Sequence, residues 1–399
     1  MTNPFAPENR RQVTLKGGKE RVVANRHPWI FAGAIAREGG PEGAAIGDLL
    51  DPKGVRIASG FYSRHSQIRL RALTFGAEEL NEGTIRERIE RAIRRRASIL
   101  RDGTDAARLI HAEGDELSGL VVDRYADMLV VEISNAGLDQ IRHIVIDSLE
   151  RLAEPRVIWL KNDIPARKLE HLDGTPVSAG KAAGAPVSTI HENGLRFHVD
   201  AREGQKTGFF LDQRDNRVLA RSLAGDKRVL NLFSYTGAFG VYAAAGGAAE
   251  VENVDVSAAA IEGARRNHDL NGTAARFTVA DAFSFVRERA AAGERVDFLI
   301  CDPPAFARSR GEVDRAARGY KDVNLYAMKL LEAGGLVMTF SCSGHMSLDL
   351  FQKVIFAAAL DSGRRVSIIR RLSAGPDHPV SLYCPEGEYL KGFLLEVHG

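Results

Sequence analysis

Three aspartates, each closing an apolar run, carry the strongest chemical signal in this chain. Asp255 follows Glu250 to Val254, Asp281 follows Arg276 to Ala280, and Asp302 follows Val296 to Cys301. In an open α/β sheet, ligands bind beyond the carboxyl ends of the strands, so acids at successive strand ends converge on one crevice. Ahead of them, Val229-Leu230-Asn231-Leu232 has the pattern of a buried strand and runs into Phe233-Ser234-Tyr235-Thr236-Gly237-Ala238-Phe239-Gly240. A glycine-bearing turn from strand to helix lets a ligand approach the backbone. The helix start behind it, at Val241 to Ala245, offers unpaired N–H groups to an anionic moiety. Asp255 lies about 20 residues beyond the turn, the spacing that sets a carboxylate on ribose hydroxyls.

Nicotinamide enzymes share that spacing. Here, however, the loop lacks the Gly-x-Gly-x-x-Gly fingerprint that brings backbone onto a pyrophosphate. A second acid, Asp281, also follows the next strand. Acids after successive strands suit a ligand whose ribose and adenine are both read by hydrogen bonds with no bridging phosphate, and S-adenosylmethionine is such a ligand. Any one of these aspartates alone could instead be a helix cap. After the fourth strand, Pro303 and Pro304 hold the backbone extended, which directs Asp302 towards a reacting group, and Phe306 could stack on a planar base. A plain strand exit is the alternative for the proline pair.

These residues need a scaffold. From Val229 onward strands and helices alternate, which predicts a parallel sheet covered on both faces. Upstream, Val13 to Leu73 consists of short β-type runs punctuated by turns, the pattern of a small β-barrel. Its last run, Gln67 to Leu73, alternates Ile68, Leu70 and Ala72 with Gln67, Arg69 and Arg71, predicting one buried face and one cationic face. Between Thr84 and Arg101 the period becomes helical, with Ile85, Ile89, Ile93 and Leu100 opposite seven arginines. Those arginines make either a solvated face or, beside a basic strand, a phosphate-contacting surface. An α+β unit follows, with β-runs at Leu120 to Val122, Leu129 to Val131 and Arg156 to Leu160 and a helix near Leu138 to Leu152. Ser178 to Pro186 is rich in small residues and is expected to be a surface connection. Asn193-Gly194 then marks a hairpin. With 399 residues, more than one core is expected. The divisions fall at residues 1–75, 76–190 and 191–399.

Composition is ordinary for a globular protein, with 44% hydrophobic and 27% charged residues, and the net charge of +2 selects no partner by itself. Cys301, Cys342 and Cys384 lack paired metal-ligand spacing and are too few for a disulfide framework, so no metal is expected and each is read as a free thiol. The N-terminus has no signal-peptide core and no apolar run is long enough to span a membrane, so a cytoplasmic location is expected.

Taken together, Asn231 to Gly237, Val254-Asp255-Val256-Ser257, Asp302-Pro303-Pro304-Ala305-Phe306 and Phe340-Ser341-Cys342-Ser343-Gly344 resemble one family. It is the PUA-containing 23S ribosomal RNA 5-methylcytosine methyltransferases. Gly204 to Arg214 and Gly387 to Phe393 are similar to that family's lead-in and final hairpin. Gly47-Asp48 and Ile57 to Tyr62 resemble its RNA-binding PUA barrel, and the middle unit resembles its connecting domain. The resemblance implies a Rossmann-like class I methyltransferase domain preceded by a PUA-like barrel and an α+β domain, with 23S ribosomal RNA as partner. It implies that Asp255 holds ribose, Asp281 adenine, and Asn231, Phe233, Ser234, Thr236 and Gly237 the methionine end of S-adenosylmethionine. Phe210, Gln213 and Arg214 would line the same pocket, with Pro303, Pro304 and Phe306 at the base.

Carbon 5 of cytosine is too weak a nucleophile to take a methyl group directly. A thiolate adding at carbon 6 activates it, which requires a cysteine facing the base and an acid near ring nitrogen 3. Cys342, after the strand Leu336 to Phe340, and Asp302 fill those roles. Cys301 ends an apolar strand and is expected to pack in the core, whereas Cys384 has no matched role. Some 5-methylcytosine enzymes carry a second cysteine just after the proline pair, but Pro304 to Arg308 has none, so another base or water must assist product release. Two rivals remain. A guanine-N7 methyltransferase needs no nucleophilic cysteine, and a catalytically silent assembly factor would need neither Cys342 nor the aspartates.

Overall fold

The alternation from residue 228 onward builds a seven-stranded sheet. Its strands are β1 (Arg228–Leu232), β2 (Glu250–Asp255), β3 (Arg276–Val279), β4 (Val296–Cys301), β5 (Leu331–Ser341), β6 (Arg365–Ser373) and β7 (Lys391–His398), in the order β3-β2-β1-β4-β5-β7-β6. Strands β1 to β5 run parallel. β7 is antiparallel to both β5 and β6, so the parallel expectation ends at the last hairpin. Alternate residues of each central strand feed opposite cores: Leu230, Leu299 and Cys301 pack on one side, Val229, Phe298 and Ile300 on the other. That two-sided burial explains the near-continuous apolar runs. Strand order reverses between β1 and β4, which opens a crevice at their carboxyl ends.

The computed structural model describes residues 3–398 except 102, 182–183, 205 and 308. Gln205 and Arg308 of the motifs above, and Ala182-Ala183 of the small-residue stretch, therefore lie outside the described residues. The chain forms two compact units. One comprises Met1–Ile190, Val199–Phe209 and Asp377–Gly387; the other comprises His191–His198, Phe210–Pro376 and Glu388–Gly399 and holds the seven-stranded sheet.

In the first unit, a six-stranded sheet has Trp29–Phe31 and Ile35–Gly39 as its edges, joined by the short turn Ala32–Ala34. A second sheet, of five strands, spans Ala106–His111 to Val177–Ala179. One core serves both, since Ile46, Phe61 and Leu73 cluster with Leu109, Val122, Val131 and Leu149. Asn193 and Gly194 both have positive φ, at 51° and 80°, as the two-residue hairpin turn requires.

Two sequence expectations are corrected here. Ser178 and Ala179, the start of the stretch expected to be a surface connection, belong to the strand Val177–Ala179, paired with Val157–Leu160; its pairing partner is set by tertiary structure and leaves no local signal. The cationic faces are also largely consumed by internal pairs. On the last strand of the six-stranded sheet, Arg71 is buried near Glu113 and Glu170, and Arg69 pairs with Glu38 at 3.2 Å. On the helix Glu82–Arg95, Arg86 meets Glu82, Arg88 meets Glu78, Arg91 meets Glu116 and Arg95 meets Asp115, and just beyond it the buried Arg96 pairs with Asp115 at 2.6 Å. The opposing carboxylates come mainly from elsewhere in the chain, so the helix's own sequence overstated its free charge.

Candidate active site

The loop after β1 holds three residues in unusual backbone conformations. Phe233, Tyr235 and Gly237 have φ of 54°, 47° and 74°, a left-handed conformation that costs a non-glycine residue energy unless its surroundings fix it. At Gly237 a side chain would also collide, because a Cβ there would lie 2.7 Å from that of Ala264. Asp255 does much of the fixing: its Oδ2 accepts the N–H of Tyr235 at 2.8 Å and its Oδ1 that of Ser257 at 2.9 Å. Each oxygen keeps acceptor capacity for a further donor. Ser234 Oγ is buried and has no hydrogen-bond partner among the described residues. A buried hydroxyl in that state is costly and suits a polar ligand that supplies its partner.

Behind the loop runs a polar ladder. Asn231 Nδ2 donates to Asn253 Oδ1 at 2.9 Å, Asn253 Nδ2 lies 3.1 Å from His268 Nε2, and His268 Nδ1 lies 2.9 Å from Thr273 Oγ1. Asn231, expected beside the cofactor, is thus tied by its amide to β2. Burial lowers the His268 pKa to about 4, so the ring is neutral. Thr236 contributes its carbonyl, which accepts from Asn267 Nδ2 at 2.9 Å. Asp281 accepts the N–H of Ser284 at 2.9 Å and caps the helix Ala282–Ala291. Capping and cofactor contact are compatible for a carboxylate with two oxygens.

Asp302 directly follows β4 and Cys342 directly follows β5, its parallel neighbour. Cys342 is half-buried, and its thiol donates to the carbonyl of Pro303 across 3.6 Å. Gln213 Nε2 donates to Asp302 Oδ2 at 3.0 Å, so this residue, expected to line the cofactor pocket, meets the carboxylate expected to act on the base. Arg214 is buried beside Glu192, at 3.7 Å, and Phe210 packs edge-on to Tyr235. Pro303 is buried and Pro304 exposed. Phe306 packs against Phe233, Phe283 and Tyr320, which turns its ring into an aromatic cluster beneath the proline pair.

Three residues to which the sequence assigned no role, Ser343, Tyr320 and Lys391, hold the segments carrying Asp302 and Cys342 together. Ser343 Oγ accepts the N–H of Ala307 at 3.2 Å and lies 3.0 Å from the Tyr320 hydroxyl, which joins the segment after β4 to the one after β5. Lys391, the first residue of β7, is buried and donates from Nζ to the carbonyls of Ser343 and Met346 at 3.0 and 2.7 Å. Its burial lowers its pKa. The single sequence cue was Lys391 in an otherwise apolar strand start.

The other thiols are unsuited to nucleophilic attack. Cys301 is fully buried, and burial pushes its pKa far up. Cys384 belongs to the first unit, where burial pushes its thiol up to about 12. Cys384 also neighbours His27 and Glu386, a grouping of metal-ligand types. His27 Nδ1, however, accepts the Trp29 N–H at 3.1 Å, which puts the ring proton on Nε2, facing Glu386 at 3.3 Å. That tautomer serves a hydrogen bond and opposes metal ligation. No helix among the described residues is long and apolar enough to cross a membrane.

The S-adenosylmethionine-dependent methyltransferase family model matches residues 110–380, and a PUA-like domain model matches residues 13–75. Proteins named ribosomal RNA large subunit methyltransferase I are similar along almost the whole chain. That of Pseudoalteromonas atlantica is 44% identical over 97% of this chain and 99% of its own length, and that of Tolumonas auensis 43% identical over 96% and 99%. Among solved structures, a methyltransferase in complex with SAH superposes with a TM-score of 0.83 at 22% identity, covering 97% of this chain and 100% of that one. A Streptococcus mutans SAM-dependent methyltransferase superposes at 0.81 with 21% identity and the same coverage. At these identities the structural likeness speaks for the fold. The cofactor of the domain is S-adenosylmethionine, which suits the acids at the ends of β2 and β3 and the buried Ser234 hydroxyl. The chain belongs to the PUA-domain-containing ribosomal RNA large subunit methyltransferase I family.

Proposed function

We propose that this enzyme methylates carbon 5 of a cytosine in 23S ribosomal RNA, working in the cytoplasm where that RNA is made. The observation that carries the reading is the placement of Asp302 and Cys342 directly after two adjacent parallel strands, at their carboxyl ends. In this reading Asp255, Asp281 and the loop from Asn231 to Gly237 hold S-adenosylmethionine, which when bound supplies an electrophilic methyl group. Cys342 adds as thiolate to carbon 6 of the base, and the electron pair of the 5,6 double bond moves to carbon 5. Asp302 stabilises charge at ring nitrogen 3, where a hydrogen bond to a carboxyl group is worth most in a site shielded from water. After methylation, a water or another base takes the carbon 5 proton, and the electron pair of that bond re-forms the 5,6 double bond and expels the Cys342 sulfur as thiolate.

RNA carrying 5-fluorocytosine tests this reading, because fluorine replaces the proton that must leave. Wild-type enzyme should form an adduct that survives denaturing electrophoresis. Cys342→Ala should form none and lose methylation while keeping cofactor affinity, and Cys301→Ser should still form it. Substantial turnover by Cys342→Ala would instead favour guanine-N7 chemistry, which needs no thiol.

A further inference from the structure

We propose that a cavity of about 290 Å³ in the first compact unit binds one unpaired guanine base of the RNA substrate. The inference rests on the reading of the chain as an RNA enzyme. It starts from Arg71, which is only 8% exposed. Its Nε is buried without a hydrogen-bond partner among the described residues, and its carboxylate neighbours Glu113 and Glu170 stand off at 3.8 and 3.9 Å, beyond hydrogen-bond distance. A guanidinium carries five N–H donors. In the same unit the buried Arg96 satisfies its donors with Asp115 and the Arg108 carbonyl, whereas Arg11 and Arg69, like Arg71, leave a buried Nε without a hydrogen bond among the described residues. Arg71 lines the cavity with its charge balanced by the Glu113 and Glu170 carboxylates but with no side-chain hydrogen bond among the described residues.

The remaining walls match a planar, neutral ligand. Trp29 forms one side, and its Nε1 donates to Glu113 Oε1 at 2.8 Å, which fixes the indole. Ser118 Oγ donates to the same oxygen at 2.6 Å, so Glu113 Oε2 has no hydrogen bond among the described residues. Ile68, Val121 and Ile164 are the apolar lining. Glu132 also lines it, and burial raises its pKa to about 7. One arginine among several carboxyl groups gives no excess positive charge, so a phosphate is disfavoured. A ligand here must offer acceptors to Arg71 and donors to Glu113 on a flat, stackable ring. Guanine does so: O6 and N7 form the acceptor pair that arginine recognises, and N1–H and the 2-amino group lie on the adjoining edge. Adenine offers N7 but a donor in place of O6. An indole wall adds stacking, which does not depend on base identity, so the polar groups would set the selectivity.

The chain has two tryptophans, so full-length Trp159→Phe protein reports Trp29 fluorescence alone. Titration with r(UUGUU), r(UUAUU), r(UUCUU) and r(UUUUU) should give saturable quenching, with r(UUGUU) binding on the order of tenfold tighter or more. Arg71→Met should erase that preference while calorimetry shows unchanged S-adenosylmethionine binding. Equal affinities for the four oligonucleotides, or a guanine preference surviving Arg71→Met, overturns the proposal. Should Arg71→Met lose cofactor binding through misfolding, the order of the four oligonucleotides in Trp159→Phe protein decides alone. Methylation of ribosomal RNA by the wild type is measured separately. Normal methylation without guanine preference refutes this site and leaves the function standing; a guanine preference without any methylation refutes the function and supports the site.

Discussion

Asp302 owes its orientation to residues remote in sequence. Gln213 donates to it, and Gln213 Oε1 in turn accepts from Asn216 Nδ2 at 2.6 Å, while Asn216 also donates to the Ser373 carbonyl. Both amides are almost completely buried, so their donors and acceptors have little alternative to this relay. The relay makes Gln213 a positioning residue for the carboxylate. Gln213→Leu should therefore lower kcat by about tenfold to a hundredfold, the worth of one hydrogen bond to a charged group. Cofactor affinity should stay within about twofold if the side chain serves Asp302. A calorimetric loss of cofactor binding with kcat preserved would return Gln213 to the cofactor pocket. The sequence made Asp302 legible because a strand, an acid and a proline pair are local signals. Its partner was not legible, since Gln213 stands 89 positions away and its motif surroundings resembled a cofactor lead-in. Lys391 escaped for the same reason: the carbonyls it holds lie 45 and 48 positions away.

Among the elements, β1 and β2 deliver the loop assigned in our proposal to the cofactor, and the amide ladder from Asn231 through Asn253 to His268 ties them to the helix Ala258–Leu270. Asn253 donates to His268 Nε2, so that nitrogen is the acceptor and Nδ1–H faces Thr273. Protonating Nε2 would break the ladder. Burial is the largest cause of the depressed pKa, with Thr273 and Asp269 acting in the opposite direction. The folded value of about 4 lies below the ordinary 6.5, so between those pH values the unfolded chain binds a proton that the folded chain refuses. This contribution to stability is complete above about pH 6.5, falls as the pH drops towards 4 and then levels, by on the order of 3 kcal/mol in all. His268→Gln, which keeps an acceptor for Asn253, should flatten the pH dependence of the melting temperature over that window. An unchanged slope would assign the acid sensitivity to other groups. Strand ends and the Asn193-Gly194 turn were readable from local pattern, whereas the antiparallel β7 depends on pairing between segments far apart.

At the scale of the molecule, charge is where sequence and structure diverge most, and the divergence decides where RNA affinity can come from. Of the seven arginines from Arg86 to Arg101, at least five pair with carboxylates among the described residues. A cation already neutralised within the fold releases few counterions when RNA binds. The N-terminal sheet also shares its core with the middle segment through Phe61, Leu73 and Leu109, so removing residues 1–75 would expose that core and confound any RNA-binding test. Point variants are cleaner. On β6, Arg370 and Arg371 are exposed and have no ion pair among the described residues. They stand two and three positions before Ser373, which pairs with Lys391, itself paired with Ser341 beside Cys342. This places positive charge without an ion pair among the described residues on the edge strand, at the end of the sheet where Cys342 and Asp302 lie. The double variant Arg370→Ala/Arg371→Ala should therefore reduce the slope of log affinity against log salt for ribosomal RNA fragments by about 1.5, at little cost in stability. Arg86→Ala/Arg91→Ala should leave that slope nearly unchanged. Arg96→Ala should instead cost about 3–5 kcal/mol of stability by stranding the buried Asp115 carboxylate. A salt slope that fell with the helix variants and held with the edge-strand variants would return RNA binding to the arginine-rich helix, its ion pairs being then too weak to withhold it.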